Sequence, residues 1–358
     1  MPRKQARAAL LLLAVAAAAA SAQLSLRAAA AAKAPAAAHK PLGDLEIDKP
    51  HAAAWEHVWS VALLQRVEMI QAKRAEALAS RTGDAADGGE EGIAPLPPPL
   101  RLLIVGDSTM QHQANFLCQV LKAKCNMLTR KGCKNVPDNC TNKRLNVRVE
   151  LQLTWACAWD WQKTAPPAAQ NEATVFYYNC GLHMMHLFPA RPFMEVSLSL
   201  DAHSMVRDSF VHAREQLGEG ALLVWMTTND IAEDRFTKEY NITASEWKTK
   251  EAADGLTSKC VDHYGPEVQA MRGVGATEGG WVEELEDWCR NGVLTGSGAQ
   301  WLNSRLLKHI PNGVQILDGY TTTRGRPWAT RYSDGRHYRL LRPIKLEQLF
   351  SHISRHFL

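Results

Sequence analysis

Gly106-Asp107-Ser108 follows the apolar run Leu102 to Val105 and precedes helix-like sequence from Thr109 to Leu121. Ser108 then stands at the carboxyl end of a strand and the amino end of a helix. Helix-start N–H groups and the helix dipole favour developing negative charge there, and Gly106 permits the sharp turn. A nucleophilic serine is well served at such a place. A plain helix cap by Asp107 or Ser108 fits the same residues. The stretch continues with Met110, so it is not the nucleophile elbow G-x-S-x-G. A serine needs a base, and Asp334-Gly335-Arg336-His337 supplies a carboxylate and an imidazole three residues apart. His337 would take the Ser108 proton and return it to the leaving group, with Asp334 supporting the imidazolium. An ordinary Asp-Gly turn is the plainer reading.

The elements that must position these groups alternate along the chain. Strands are expected at Leu102 to Val105, Leu145 to Leu153, Thr174 to Tyr178, Ala221 to Met226 and Val314 to Leu317, with helices at Thr109 to Leu121 and Val196 to Leu217. Strands alternating with helices point to an α/β fold with a mostly parallel sheet, whose ligands sit at the carboxyl ends of strands. Residues 231–300 break the rhythm: polar, Gly-rich and lacking clear periodicity, they read as an insertion that walls or lids a site, with Cys260 and Cys289 as its staple. Upstream, Trp55, Val58, Trp59, Ala62, Leu63, Val67 and Ile70 recur at helical steps, giving an amphipathic helix over 52–79. It docks on the main domain or forms a stalk. Residues 80–99 form a Gly/Pro linker and 100–358 the main domain.

Gly-Asp-Ser after the first core strand, with Asp-x-x-His near the carboxyl end, resembles the SGNH (GDSL-like) hydrolases. Within that superfamily the chain is most similar to the PC-esterase branch, which includes the trichome-birefringence-like polysaccharide O-acetyltransferases. The resemblance spans Leu100 to the carboxyl terminus and implies a three-layer α/β/α sandwich of SGNH or flavodoxin-like type. It implies Ser108, Asp334 and His337 as the triad, with Asn179, after the third core strand, as an oxyanion donor. Such a donor is worth roughly 3 kcal/mol in the transition state. The sequence departs from the family's G-x-N-D, having Tyr177 for Gly and Cys180 for Asp. Thr227-Thr228-Asn229-Asp230 keeps the N-D pair and makes Asn229 the rival. A second donor is unassigned: Gly132 precedes the second strand and no Gly follows it. The implied activity is serine-dependent acyl-ester chemistry, by an esterase or an O-acyltransferase, on an O-acylated glycan with a possible acyl donor. The alternative is a catalytically silent glycan-binding protein.

No metal or cofactor is implied: His183 and His186 are three residues apart, but no carboxylate or thiolate completes a ligand set. Trp159, Trp161, Trp281 and Trp288 offer flat faces for sugar rings or simply fill the core. The basic start (Arg3, Lys4, Arg7), the apolar run Ala8 to Ala20 and Ala20-Ser21-Ala22 read as a secretory signal over 1–22. As an uncleaved anchor the run is short of the roughly 20 residues a membrane span needs. Residues 23–51 read as a disordered Ala/Lys/Pro spacer. No acidic residue precedes Asp44, which keeps a plastid transit peptide as the alternative. Eight cysteines without a C-x-x-C pair favour disulfides, and sequons at Asn139 and Asn241 are glycosylation candidates. Secretion or a Golgi lumen follows. With Lys plus Arg at 41 against Asp plus Glu at 37, the chain lacks the basic surplus of a nucleic-acid binder. With 46% apolar residues, disorder throughout is excluded.

Overall fold

Leu100–Gly106 (β1) is apolar at every position but Arg101 and the closing glycine, and all seven residues are buried. Such a run suits the centre of a parallel sheet, covered on both faces. Arg101 is fully buried there and is neutralised by Glu150 on the neighbouring strand at 2.7 Å. The computed structural model describes residues 49–82, 97–122, 138–164, 172–190, 192, 194–272, 278–331 and 333–358. All of them belong to the unit Leu45–Leu358. The candidate signal, most of the spacer, residues 83–96 of the linker, Gly132, and Cys125 and Cys133 lie outside the described residues.

The chain runs from a long helix, Lys49–Thr82 (α1), through β1 to Ser108–Leu121 (α2), then Cys140–Asn142 (β2), Val147–Leu153 (β3) and Ala173–Asn179 (β4). Val196–Leu200 (α3) and Ala202–Leu217 (α4) follow, separated by Asp201, and lead to Leu222–Met226 (β5). Next come four helices, Lys238–Glu246 (α5), Lys250–Arg272 (α6), Glu278–Asn291 (α7) and Gly296–Leu307 (α8). Gln315–Leu317 (β6), Gly319–Thr323 (α9) and Arg342–Phe357 (α10) complete it. The sheet order is β2-β3-β1-β4-β5-β6. All neighbours are parallel except β2 and β3. The chain leaves β1 for β3 on one side and then crosses to β4 on the other. The carboxyl end of β1 is therefore the topological switch point, where open α/β sheets bind ligands.

Alternate strand residues feed two apolar clusters. Leu102, Ile104, Val175, Tyr177 and Val224 pack with α1, α2 and α10. Leu103, Val105, Phe176, Tyr178, Leu223 and Trp225 pack with α4 and with α6 to α8. The chain is thus α/β, with helices flanking a mostly parallel six-stranded sheet.

Residues 231–300 differ from the expected irregular insertion: they are largely helical. Each helix shows the core only a narrow stripe, such as Cys260, Tyr264 and Val268 on α6. Glycines and Pro266 interrupt the rest and blur the period. The Cys260–Cys289 disulfide joins α6 to α7; Cys118–Cys140 joins α2 to β2, and Cys157–Cys180 joins the loops after β3 and β4. These bridges fit an oxidising compartment. Asn139 and Asn241 are both exposed. No helix among the described residues is long and apolar enough to cross a membrane.

The amino-terminal helix is docked. Leu63, Val67 and Ile70 are fully buried. Trp55 donates its indole N–H to Leu340 O at 2.8 Å, and Arg342 pairs with Glu56 at 2.6 Å. Gln71 and Arg74 donate to the carbonyls of Pro98 and Pro99 just before β1. Leu63→Ala should therefore cost the whole domain about 2–5 kcal/mol. Urea unfolding would show one transition shifted to lower denaturant; an unchanged midpoint would mean that α1 unfolds separately.

Candidate active site

Asp107 caps α2: its Oδ1 accepts from Thr109 N at 2.8 Å, and its carbonyl accepts from Met110 N and Gln111 N. With the cap supplied by its neighbour, the Ser108 side chain is left for another partner. Gly106 has φ +146°, and a Cβ there would lie 2.0 Å from Asn179 O. Only glycine lets β4 approach this closely.

Ser108 Oγ lies 2.6 Å from His337 Nε2, and His337 Nδ1 lies 2.8 Å from Asp334 Oδ1. An ionised carboxylate only accepts, so Nδ1 carries the proton and donates to Asp334. Nε2 of the neutral ring then accepts from the Ser108 hydroxyl. Three residues expected from sequence to act together are thus brought into one hydrogen-bonded line. Burial raises the Asp334 pKa, but the hydrogen bond from His337 and the charges of His337 and Arg336 more than offset this, holding it below the usual carboxylate range.

The turn carrying Asp334 and His337 is shaped locally and anchored from outside. Asp334 Oδ1 also accepts from the backbone N–H groups of Arg336 and His337 at 3.4 and 3.3 Å. Gly335 has φ +64°, and a Cβ there would sit 2.4 Å from Ala232 O and 3.0 Å from the Phe236 ring. Ala232 N donates to Gly335 O at 2.9 Å, and Phe236 bridges Ser333. The segment after β5 therefore walls the site through these contacts. Gly335→Ala combines a disfavoured backbone conformation with a clash. It should slow covalent labelling of Ser108 by about tenfold or more through displacement of His337. A labelling rate equal to wild type would show that the turn tolerates the shift.

The two candidate asparagines are placed differently from expectation. Asn179 ends β4 beside Gly106, but its Nδ2 donates to Met226 O at 2.7 Å and Cys180 O at 3.2 Å. The first bond ties β4 to β5 and the second turns back to the next residue, so in this structure the amide donates within the sheet rather than towards Ser108. Asn229 donates to Arg336 O at 3.3 Å, and its Oδ1 accepts from Lys345 Nζ. It holds the turn that carries His337.

Lys345 and His112 were not singled out from sequence. His112 follows Ser108 by one helical turn, a signal available from spacing. Its ring meets that of His337 edge-on, with centroids 5.1 Å apart. Burial, then the charges of Arg339, His337 and Arg342, push its pKa down to about 3, so it is a neutral wall. Lys345, Asn229, Gln113, His112 and His337 line a cavity of about 10 Å³ behind the triad, room for about one water molecule. Lys345 belonged to no recognisable sequence pattern. It is 2% exposed, and burial lowers its pKa to about 7 despite the opposing charge of Asp107. The unfolded chain keeps this proton to about pH 10.4, so between those values it binds more protons than the fold and stability rises with pH. Lys345→Met removes that dependence. Relative to wild type the variant should fare best below about pH 7 and lose ground towards pH 10. Melting temperatures at pH 6 and pH 9 test this; a constant difference would contradict it.

His186 is fully buried. Its Nε2 lies 3.1 Å from Trp288 O and 3.0 Å from Cys289 O, while Nδ1 accepts from Phe188 N. It is structural. His183 packs against Trp155, with ring centroids 4.8 Å apart. Of the tryptophans proposed as sugar faces, Trp159 and Trp288 are buried, and Trp161 and Trp281 pack against the core as partly buried residues.

No protein-family model, curated protein or solved structure matches the chain.

Proposed function

We propose that this protein is a serine acyl-transfer enzyme of the SGNH hydrolase superfamily, built as a three-layer α/β/α sandwich and acting on O-acyl esters of a glycan. The observation that carries the reading is the line Ser108 Oγ–His337 Nε2–Asp334, at 2.6 and 2.8 Å, at the carboxyl end of the central strand. Ser108 attacks the acyl carbonyl while its proton passes to Nε2, and the carbonyl oxygen takes the negative charge. Asp334 balances the imidazolium. Collapse breaks the bond to the leaving alcohol, which receives the proton from Nε2, and an acyl-serine remains. An acceptor hydroxyl then gives its proton to Nε2, takes the acyl group, and Ser108 is reprotonated. Water as acceptor makes an esterase; a sugar hydroxyl makes an O-acyltransferase.

Negative charge on the carbonyl oxygen is favoured by the N–H groups opening α2. Asn179 joins them only if its amide leaves Met226 O. The departure at Tyr177 bears little on this chemistry, because Tyr177 is fully buried in the sheet and donates to Gln113 Oε1 at 2.9 Å. The resemblance to PC-esterases supports a glycan carrying acetyl groups, met in the secretory pathway. The test is the intact mass of the purified protein after exposure to a fluorophosphonate. One adduct per chain, mapped to the peptide holding Ser108, is expected. No adduct on folded protein would favour a glycan-binding protein without turnover.

A further inference from the structure

Trp155 is an exposed indole held in a fixed place. It is 46% exposed, whereas Trp225 and Trp288 are buried in the core. Its neighbour Thr154 donates its backbone N–H to Gly106 O at 2.9 Å, which fastens the loop to the strand end two residues before Ser108. The Thr154 hydroxyl also donates to Ala156 O at 2.6 Å and tightens the turn. Two residues after Trp155, Cys157 is bridged to Cys180, three residues before His183. That disulfide holds together the loops carrying Trp155 and His183, whose rings meet at 77°. Leu153 and Asn179, the last residues of β3 and β4, both pair with Gly106, so the two loops leave the sheet on either side of the strand end that carries Ser108. A rotamer-poor ring, locked by a ring partner and a nearby disulfide yet left open to water, has the form of a binding platform.

Resting on the acyl-transfer reading of Ser108, we infer that Trp155 is the surface on which a neutral pyranose ring of the substrate stacks while its ester is presented to the serine. The apolar C–H face of a sugar covers an indole without removing its hydroxyls from water, so a shallow, open platform is enough. A long alkyl acyl chain would instead need an enclosed apolar wall. Beside Trp155 in the chain, Leu153 at the end of β3 is exposed at 44%, while its neighbour Thr154 and its ring partner His183 are polar.

The experiment times fluorophosphonate labelling of the full chain in the presence of cellotetraose, xylotetraose or mannotetraose, with hexanoic acid methyl ester as the alkyl competitor. Wild type, Trp155→Ala and Trp155→Tyr are compared. At least one tetrasaccharide should protect wild type. Trp155→Ala should raise the half-protecting concentration by about tenfold or more, with Trp155→Tyr between them. Labelling without sugar is timed for each variant and serves as its own baseline, so that only the protection ratio is compared. Equal protection of Trp155→Ala and wild type would overturn the inference, as would no protection by any tetrasaccharide, or protection by the hexanoate alone. Should Ser108 take no label, the acyl-transfer reading fails by itself. Sugar binding is then followed by indole fluorescence on the same proteins, and the same tenfold loss decides the platform.

Discussion

Ser108→Ala should take up no fluorophosphonate and should lower acyl turnover by at least about ten-thousand-fold, the scale on which removing a triad nucleophile acts. The size of the effect follows from the covalent step. Without Oγ no acyl-enzyme forms, and the remaining N–H groups can only polarise a carbonyl for direct attack by water. The fold should be unaffected, because the cap of α2 is the Asp107 carboxylate and not the Ser108 hydroxyl. Circular dichroism and the melting temperature should match wild type. Residual turnover above about one part in a hundred would place the nucleophile elsewhere.

His337→Ala should be nearly as severe, lowering turnover and the rate of labelling by about three to four orders of magnitude. Nε2 is the acceptor for the Ser108 proton at 2.6 Å, and His112, the other imidazole in the immediate packing, has its edge-on contact with the His337 ring. On the acyl-transfer reading the two residues act as one unit, so Ser108→Ala/His337→Ala should be no worse in turnover than Ser108→Ala alone. Asp334→Asn keeps the shape but lets the amide donate towards Nδ1, favouring the wrong tautomer; it should also cost orders of magnitude. Additive losses in the double variant would show that serine and histidine act independently.

Much of the scaffold was legible in the sequence because it is written in local pattern. β1 and β4 are mostly apolar runs, interrupted by Arg101 and Thr174, as suits strands buried on both faces, and each is expected from sequence within a few residues of its ends. Gly106, which must let β4 pass, marked the turn before Ser108. Asp334 and His337 lie close enough in the chain that one turn couples them. The helices between 231 and 300 were not legible, because each buries only a thin stripe and carries helix-weakening residues such as Gly255, Gly265 and Pro266 in α6.

Sequence by itself determined the strand–helix alternation, the serine at a strand end and the Asp-x-x-His turn, since these depend on residues near one another in the chain. Only the tertiary structure decided which partners those residues meet. It closed the gap between Ser108 and His337, because a parallel sheet delivers its strand ends to one edge. It also turned the Asn179 amide to Met226 O and set Asn229 and Lys345 against the turn that carries Asp334 and His337. A carboxamide has no preferred partner in sequence; it follows whichever carbonyl or ammonium group the packing leaves within about 3 Å of it.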